Sequence, residues 1–216
     1  MTAPEDETFT PEGNPEDAAA MLAVIRAEQE RTRAATAVSS TLLFGVWGLA
    51  LLLGYLVLNL GYDPDTFTPR PLAFAGFGVL LIGAIAFTIV HIVRKSIGIR
   101  GRNAAAGAMF GTAWFVGFIM LQLIFNGVAR AGAEPIVISI LANTGSLLIV
   151  AVLYMAGAAI FSEWRMFVLG IWLAAVGGAA ALMSLPDSYL LLAFAGGGGF
   201  LLTAVITQIV RRVKAR

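Results

Sequence analysis

Residues 72–90 read LAFAGFGVLLIGAIAFTIV and residues 192–210 read LAFAGGGGFLLTAVITQIV. Neither stretch contains Asp, Glu, Lys or Arg, and about 20 such residues cross the hydrocarbon core of a bilayer as a helix. They align at an offset of 120 through LAFAG, Gly78 with Gly198, Leu81 with Leu201, Ala84 with Ala204 and the closing Ile-Val pair. Two similar apolar segments so far apart predict a membrane protein built from repeats.

Working outward, six apolar stretches appear at 37–60, 72–93, 105–127, 136–161, 166–184 and 189–210. Connections are short: GYDPDTFTPRP, RKSIGIRGRN, ARAGAE, SEWR and LPDS. Over the 216 residues, 59% are hydrophobic and 12% charged, with a mean hydropathy of +0.86. A soluble domain carries about twice that share of charge. The expected fold class is therefore all-α and polytopic, with six transmembrane helices.

A second offset, of 67 residues, pairs Trp47 with Trp114, Asn59 with Asn126 and Gly78 with Gly145. It also pairs Leu80, Leu81, Ile82 and Ala84 with Leu147, Leu148, Ile149 and Ala151. GIW at 170–172 matches GVW at 45–47. These offsets predict three tandem hairpin repeats, 37–93, 105–161 and 166–210, inserted in one orientation and related by an axis along the membrane normal.

Orientation follows from the bases. Twelve of fourteen fall before the first span, after the second or fourth, or at the C-terminus; Arg70 and Arg130 lie on the other side. The positive-inside rule then predicts cytoplasmic N- and C-termini. The acidic opening MTAPEDETFTPEGNPED is the opposite of a signal peptide, so the first span is expected to direct its own insertion. Residues 1–13 are expected to be disordered. Asn14 and Pro15 offer an N-cap and a first helical residue for an amphipathic cytosolic helix over 14–36, carrying Ala18, Met21, Leu22 and Ile25 on one stripe. Residues 211–216 form a basic cytosolic tail.

The chemistry on offer is sparse. There is no cysteine, which excludes disulfides, thiolate metal sites and cysteine nucleophiles. The spans hold no acid that would mark proton or cation coupling. His91, the one histidine, lies near Arg94 and Lys95 and reads as an interfacial residue. No glycine-rich loop precedes Lys and Ser or Thr, so no ATP-binding loop is present. The expectation is no enzyme, no cofactor, no metal and no nucleic acid. The candidate partners are the lipid bilayer, a second copy of the chain, or a protein at the cytosolic helix.

Polar residues inside the spans concentrate in the middle hairpin. Gln122 and Asn126 are spaced i, i+4; Ser139, Asn143 and Ser146 are spaced i, i+4, i+7. They either bond across helices, as such groups do in membranes, or line a small polar cavity open to the outside. Asn59, Asn126 and Ser184 sit at outer helix ends and suit capping of free carbonyls. Trp47, Trp114 and Trp172 read as repeated core packing, and Trp164 as interfacial.

The four-glycine run has no strand-to-helix turn for a phosphate, and its apolar flanks exclude a soluble linker. Ala195 and Gly199, continued by Thr203 and Thr207, have small-xxx-small spacing; Gly170, Ala174 and Gly178 repeat it on the fifth span. Close packing of the fifth and sixth spans is the prediction. Gly196 and Gly198, matched by Gly76 and Gly78, read as inherited packing positions, with Gly197 and Gly199 as additions facing the fifth span and the run as a packing surface or hinge.

The segments MLAVIRAEQERTRAA, FGVWGLALLLGYLVL, AFTIVHIVRKSIGIRG, MFGTAWFVGF, LYMAGAAIFSEWRMFVLGIW and LAFAGGGGFLL together resemble an actinobacterial family of six-span membrane proteins loosely labelled transporters. The resemblance implies a bacterial plasma membrane and brings no site residues. The layout is also similar to that of HdeD-type acid-resistance membrane proteins. Mitochondrial carriers share three hairpins, but their proline-and-acid signature is missing from the odd spans. Two functional expectations stand: permeation or transport of a small or amphiphilic solute, and a non-transporting scaffold or regulatory subunit that recruits a partner through its N-terminal helix.

Overall fold

The computed structural model describes residues 19–27, 39–96 and 102–214. The chain divides into two units, one ending at Val38 and the other beginning at Ser39. In the first, residues 19–27 form helix α1, on which Met21, Leu22, Val24 and Ile25 are exposed. The expected tail 1–13 and the ends of the 14–36 helix lie outside the described residues.

The second unit contains α2 (Ser40–Leu60), α3 (Pro71–Ser96), α4 (Arg102–Arg130), α5 (Pro135–Phe161), α6 (Trp164–Leu182), a short α7 (Asp187–Leu191), a π-helical turn (Leu192–Gly197) and α8 (Gly198–Lys214). The last three form one continuous span, and six helical segments in all are long and apolar enough to cross a membrane. The protein is thus an all-α polytopic membrane protein in contact with the bilayer. Helix α8 runs on through Arg211, Arg212 and Lys214, where the sequence suggested a separate basic tail.

Local chemistry sets the ends. Pro135 opens α5 after Glu134, where a missing N–H leaves no unmet donor. The helix closes at Ser162 in left-handed geometry (φ 54°, ψ 42°), and the Glu163 N–H bonds back to Ala158 at 3.1 Å. Such a reversal satisfies terminal carbonyls. Between α2 and α3 the chain forms an unexpected hairpin, β1 (Tyr62–Asp63) against β2 (Thr68–Pro69). The Arg70 N–H to Gly61 carbonyl bond, 2.8 Å, closes its base.

Extensive pairings join α5 with α6, α2 with α3, α2 with the π turn and α8, and α4 with α5. Helix α4 is the least buried span. The buried core includes three rings from different helices: Phe44 of α2, Tyr154 of α5 and Phe200 of α8 have centroids 5.4–6.4 Å apart. Trp114 of α4 meets Tyr154 edge-on at 6.0 Å. Leu173, Ala151 and Ala193 around them are fully buried.

A close backbone approach joins α2 and the last span. A Cβ on Gly197 would lie 2.6 Å from the Leu52 nitrogen, 2.9 Å from its Cα and 3.0 Å from the Gly48 carbonyl. One on Gly48 would lie 2.8 Å from the Leu201 side chain and 2.9 Å from its nitrogen. These contacts assign the glycines differently from the sequence. Gly197 faces the first span, not the fifth, and only Gly199 faces the fifth, against Trp172. Gly196 and Gly198, the matched pair, have nothing within 4 Å of a Cβ position. Gly170 packs on Ala151 and Met155 of α5 rather than on the sixth span, Gly178 faces open space, and Ala174 and Ala195 border the core partly buried.

Gly197→Ala would set a methyl group against backbone, which no rotamer change relieves. Overpacking of this kind costs about 1–3 kcal/mol. Gly197→Ala should therefore lower resistance to thermal or detergent unfolding in micelles, whereas Gly198→Ala, with open space at its Cβ, should leave it unchanged or raise it.

Candidate functional site

The polar residues named from the sequence do not converge. Gln122 and Asn126 are exposed on α4, and the Asn126 amide donates to the Gln122 carbonyl one turn back at 2.8 Å. Ser146 is half-buried on α5. Only Ser139 and Asn143 join an interhelical cluster. The Asn143 amide donates to the Ser139 carbonyl at 2.7 Å, and both side chains face the hydroxyl of Tyr189 from α7.

Tyr189 is 1% exposed and is the centre of this cluster. Its ring stacks on Tyr55 of α2 at 6.4 Å and meets Tyr62 of β1 edge-on at 6.4 Å. Tyr55 in turn contacts Phe77 of α3 at 5.2 Å. Beside it the Asn59 amide donates to the Pro186 carbonyl at 3.1 Å. Asn59 therefore caps a carbonyl in the α6–α7 connection, not at its own helix end. Above the cluster, Arg70 and Asp63 pair at 3.9 Å across the hairpin, and the Asp65 N–H bonds the Asp63 carboxylate at 3.0 Å.

Sequence reasoning missed Tyr189. Ser139 lies fifty residues before it, and no helical spacing links residues so far apart. The available signal was its place one turn after Pro186, where an aromatic hydroxyl must find a partner if buried.

At the opposite end of α2, the Ser39 N–H donates to His91 Nε2 at 3.2 Å, and the imidazole lies parallel to Phe87 at 5.6 Å. His91 therefore ties the start of α2 to the end of α3. Three residues back along α3, Trp47 Nε1 donates to Thr88 Oγ1 at 3.0 Å, and Thr88 donates to Ala84 at 2.8 Å. Trp172 is about half exposed, and its Nε1 donates to the Ala195 carbonyl at 2.9 Å. It serves as a hydrogen-bond donor to the π turn more than as core filling.

The arrangement offers hydroxyl and amide hydrogen bonds in an aromatic setting. Among the described residues no group of three or more His, Asp or Glu side chains is placed to hold a metal ion. Comparisons with protein-family profiles, curated proteins and solved structures find no match for the chain.

Interhelical hydrogen bonds in membranes contribute about 0.6 kcal/mol on average and up to about 2. Tyr189→Phe keeps the ring contacts and removes the hydroxyl, so unfolding in micelles should shift by a loss of about that size, and the same substitution at Tyr62, whose ring only borders Tyr189, should shift it less.

Proposed function

We propose that this chain is a non-transporting component of a bacterial plasma membrane, a scaffold or regulatory subunit whose six-span bundle anchors the partner-recruiting helix α1. The observation carrying this reading is the filled centre. Phe44, Tyr154 and Phe200 meet there, and the backbones of α2 and the last span touch at Gly48 and Gly197. A solute path along the bundle axis would have to part these contacts. The exposed Met21, Leu22, Val24 and Ile25 on α1 give a partner or a lipid surface an apolar stripe to bind.

The excess of bases before the first span and after the second, fourth and sixth supports cytoplasmic termini, which would put α1 in the cytosol. The three-hairpin repeat and the likeness to actinobacterial six-span proteins belong to the same proposal. Permeation of a small or amphiphilic solute is the second reading. It draws on the polar cluster of Ser139, Asn143 and Tyr189 and on the π turn, since such turns recur at functional sites.

Reconstituted vesicles separate the two. The scaffold reading expects uptake and efflux of a panel of small and amphiphilic solutes to equal those of empty vesicles. It also expects deletion of residues 1–34 to abolish function in cells while the bundle still inserts. Solute flux that falls in Asn143→Leu vesicles would reverse the assignment.

A further inference from the structure

Gln122 is out of place for a residue on an outer helix face. Helix α4 has 29 residues, about 43 Å at 1.5 Å per residue, so it overhangs a ~30 Å hydrocarbon core at both ends. Gln122 lies eight residues before Arg130, about 12 Å from the helix end and so within hydrocarbon depth. It is exposed there. Among the described residues its side-chain amide has no hydrogen-bond partner.

An amide left unbonded in an apolar medium costs several kcal/mol relative to water. The face α4 turns to α5 carries Phe110, Gly117 and Leu121. Gln122 lies about a third of a turn away from it at 100° per residue. Phe115 and Asn126 share its stripe at i−7 and i+4, and both are exposed. The Asn126 amide nitrogen bonds the Gln122 backbone carbonyl, which leaves its own side-chain oxygen open as an acceptor.

We propose that this stripe of α4 is a self-association face, and that its occupant is α4 of a second copy of the chain. The stripe is chemically self-complementary. A carboxamide carries two donors and an acceptor, so Gln122 is its own best partner. Copies inserted with one topology and related by a twofold axis along the membrane normal place their α4 helices parallel. Gln122 then stands opposite Gln122 and Asn126 opposite Asn126. Two reciprocal amide bonds satisfy groups that lipid cannot. The inference does not depend on whether the bundle conducts a solute.

The absence of cysteine from the sequence makes the test clean. In proteoliposomes of the full chain, Phe115→Cys should oxidise to a covalent dimer, while Ile82→Cys on the exposed side of α3 should not. Single-molecule photobleaching over a lipid-dilution series should show a dimer whose dissociation constant rises about tenfold in Gln122→Leu and recovers most of that loss in Gln122→Asn. Because Gln122 bonds nothing through its side chain among the described residues, the monomer's unfolding temperature should be the same in all three. A wild-type chain that stays monomeric at every dilution, equal cross-linking from Phe115→Cys and Ile82→Cys, or an unchanged dissociation constant in Gln122→Leu would each overturn the proposal.

Discussion

The structure depends on the backbone contact between α2 and the last span. Water drives helices together in a soluble protein by the hydrophobic effect, but lipid is as apolar as the helices themselves, so close van der Waals contact must do that work. Gly48 on one helix and Gly197 on the other let the two chains touch where any side chain would collide with backbone. The first and last spans are thereby joined. Phe44 and Phe200, on the same two helices, are carried into the centre to meet Tyr154.

The π turn from Leu192 to Gly197 belongs to the same contact. It is held from two sides. The backbone of α2 lies against Gly197, and the Trp172 indole of α6 lies where Gly199 would carry a side chain. The indole N–H bonds the Ala195 carbonyl. A π turn widens the helix and loosens its internal hydrogen bonding; an outside donor at that carbonyl offsets part of the loss. Two of the four glycines are thus explained by what occupies the space of their missing side chains. The π turn is a packed element of the bundle, gripped by α2 and α6.

Polar groups divide by location in a similar way. Ser139, Asn143 and Tyr189 gather at the hairpin end, and Trp47 bonds Thr88 nearer the other. Gln122 stands apart on α4. From the sequence, Gln122 and Asn143 look alike, since each is an amide inside an otherwise apolar span. Rotation of α4 about its axis sends one outward, while α5 turns the other toward Tyr189.

The sequence by itself determined the number, approximate extent and apolar character of the spans and the shortness of their connections. Span number and extent follow from summed hydrophobicity over about 20 residues, a property of contiguous sequence. Only the tertiary structure decided which glycine faces which helix, where the π turn falls, and that Tyr189 gathers Ser139 and Asn143. These depend on how each helix is rotated about its axis. A helix apolar on every side carries little periodic signal to fix that angle, and shape fit between neighbours fixes it instead.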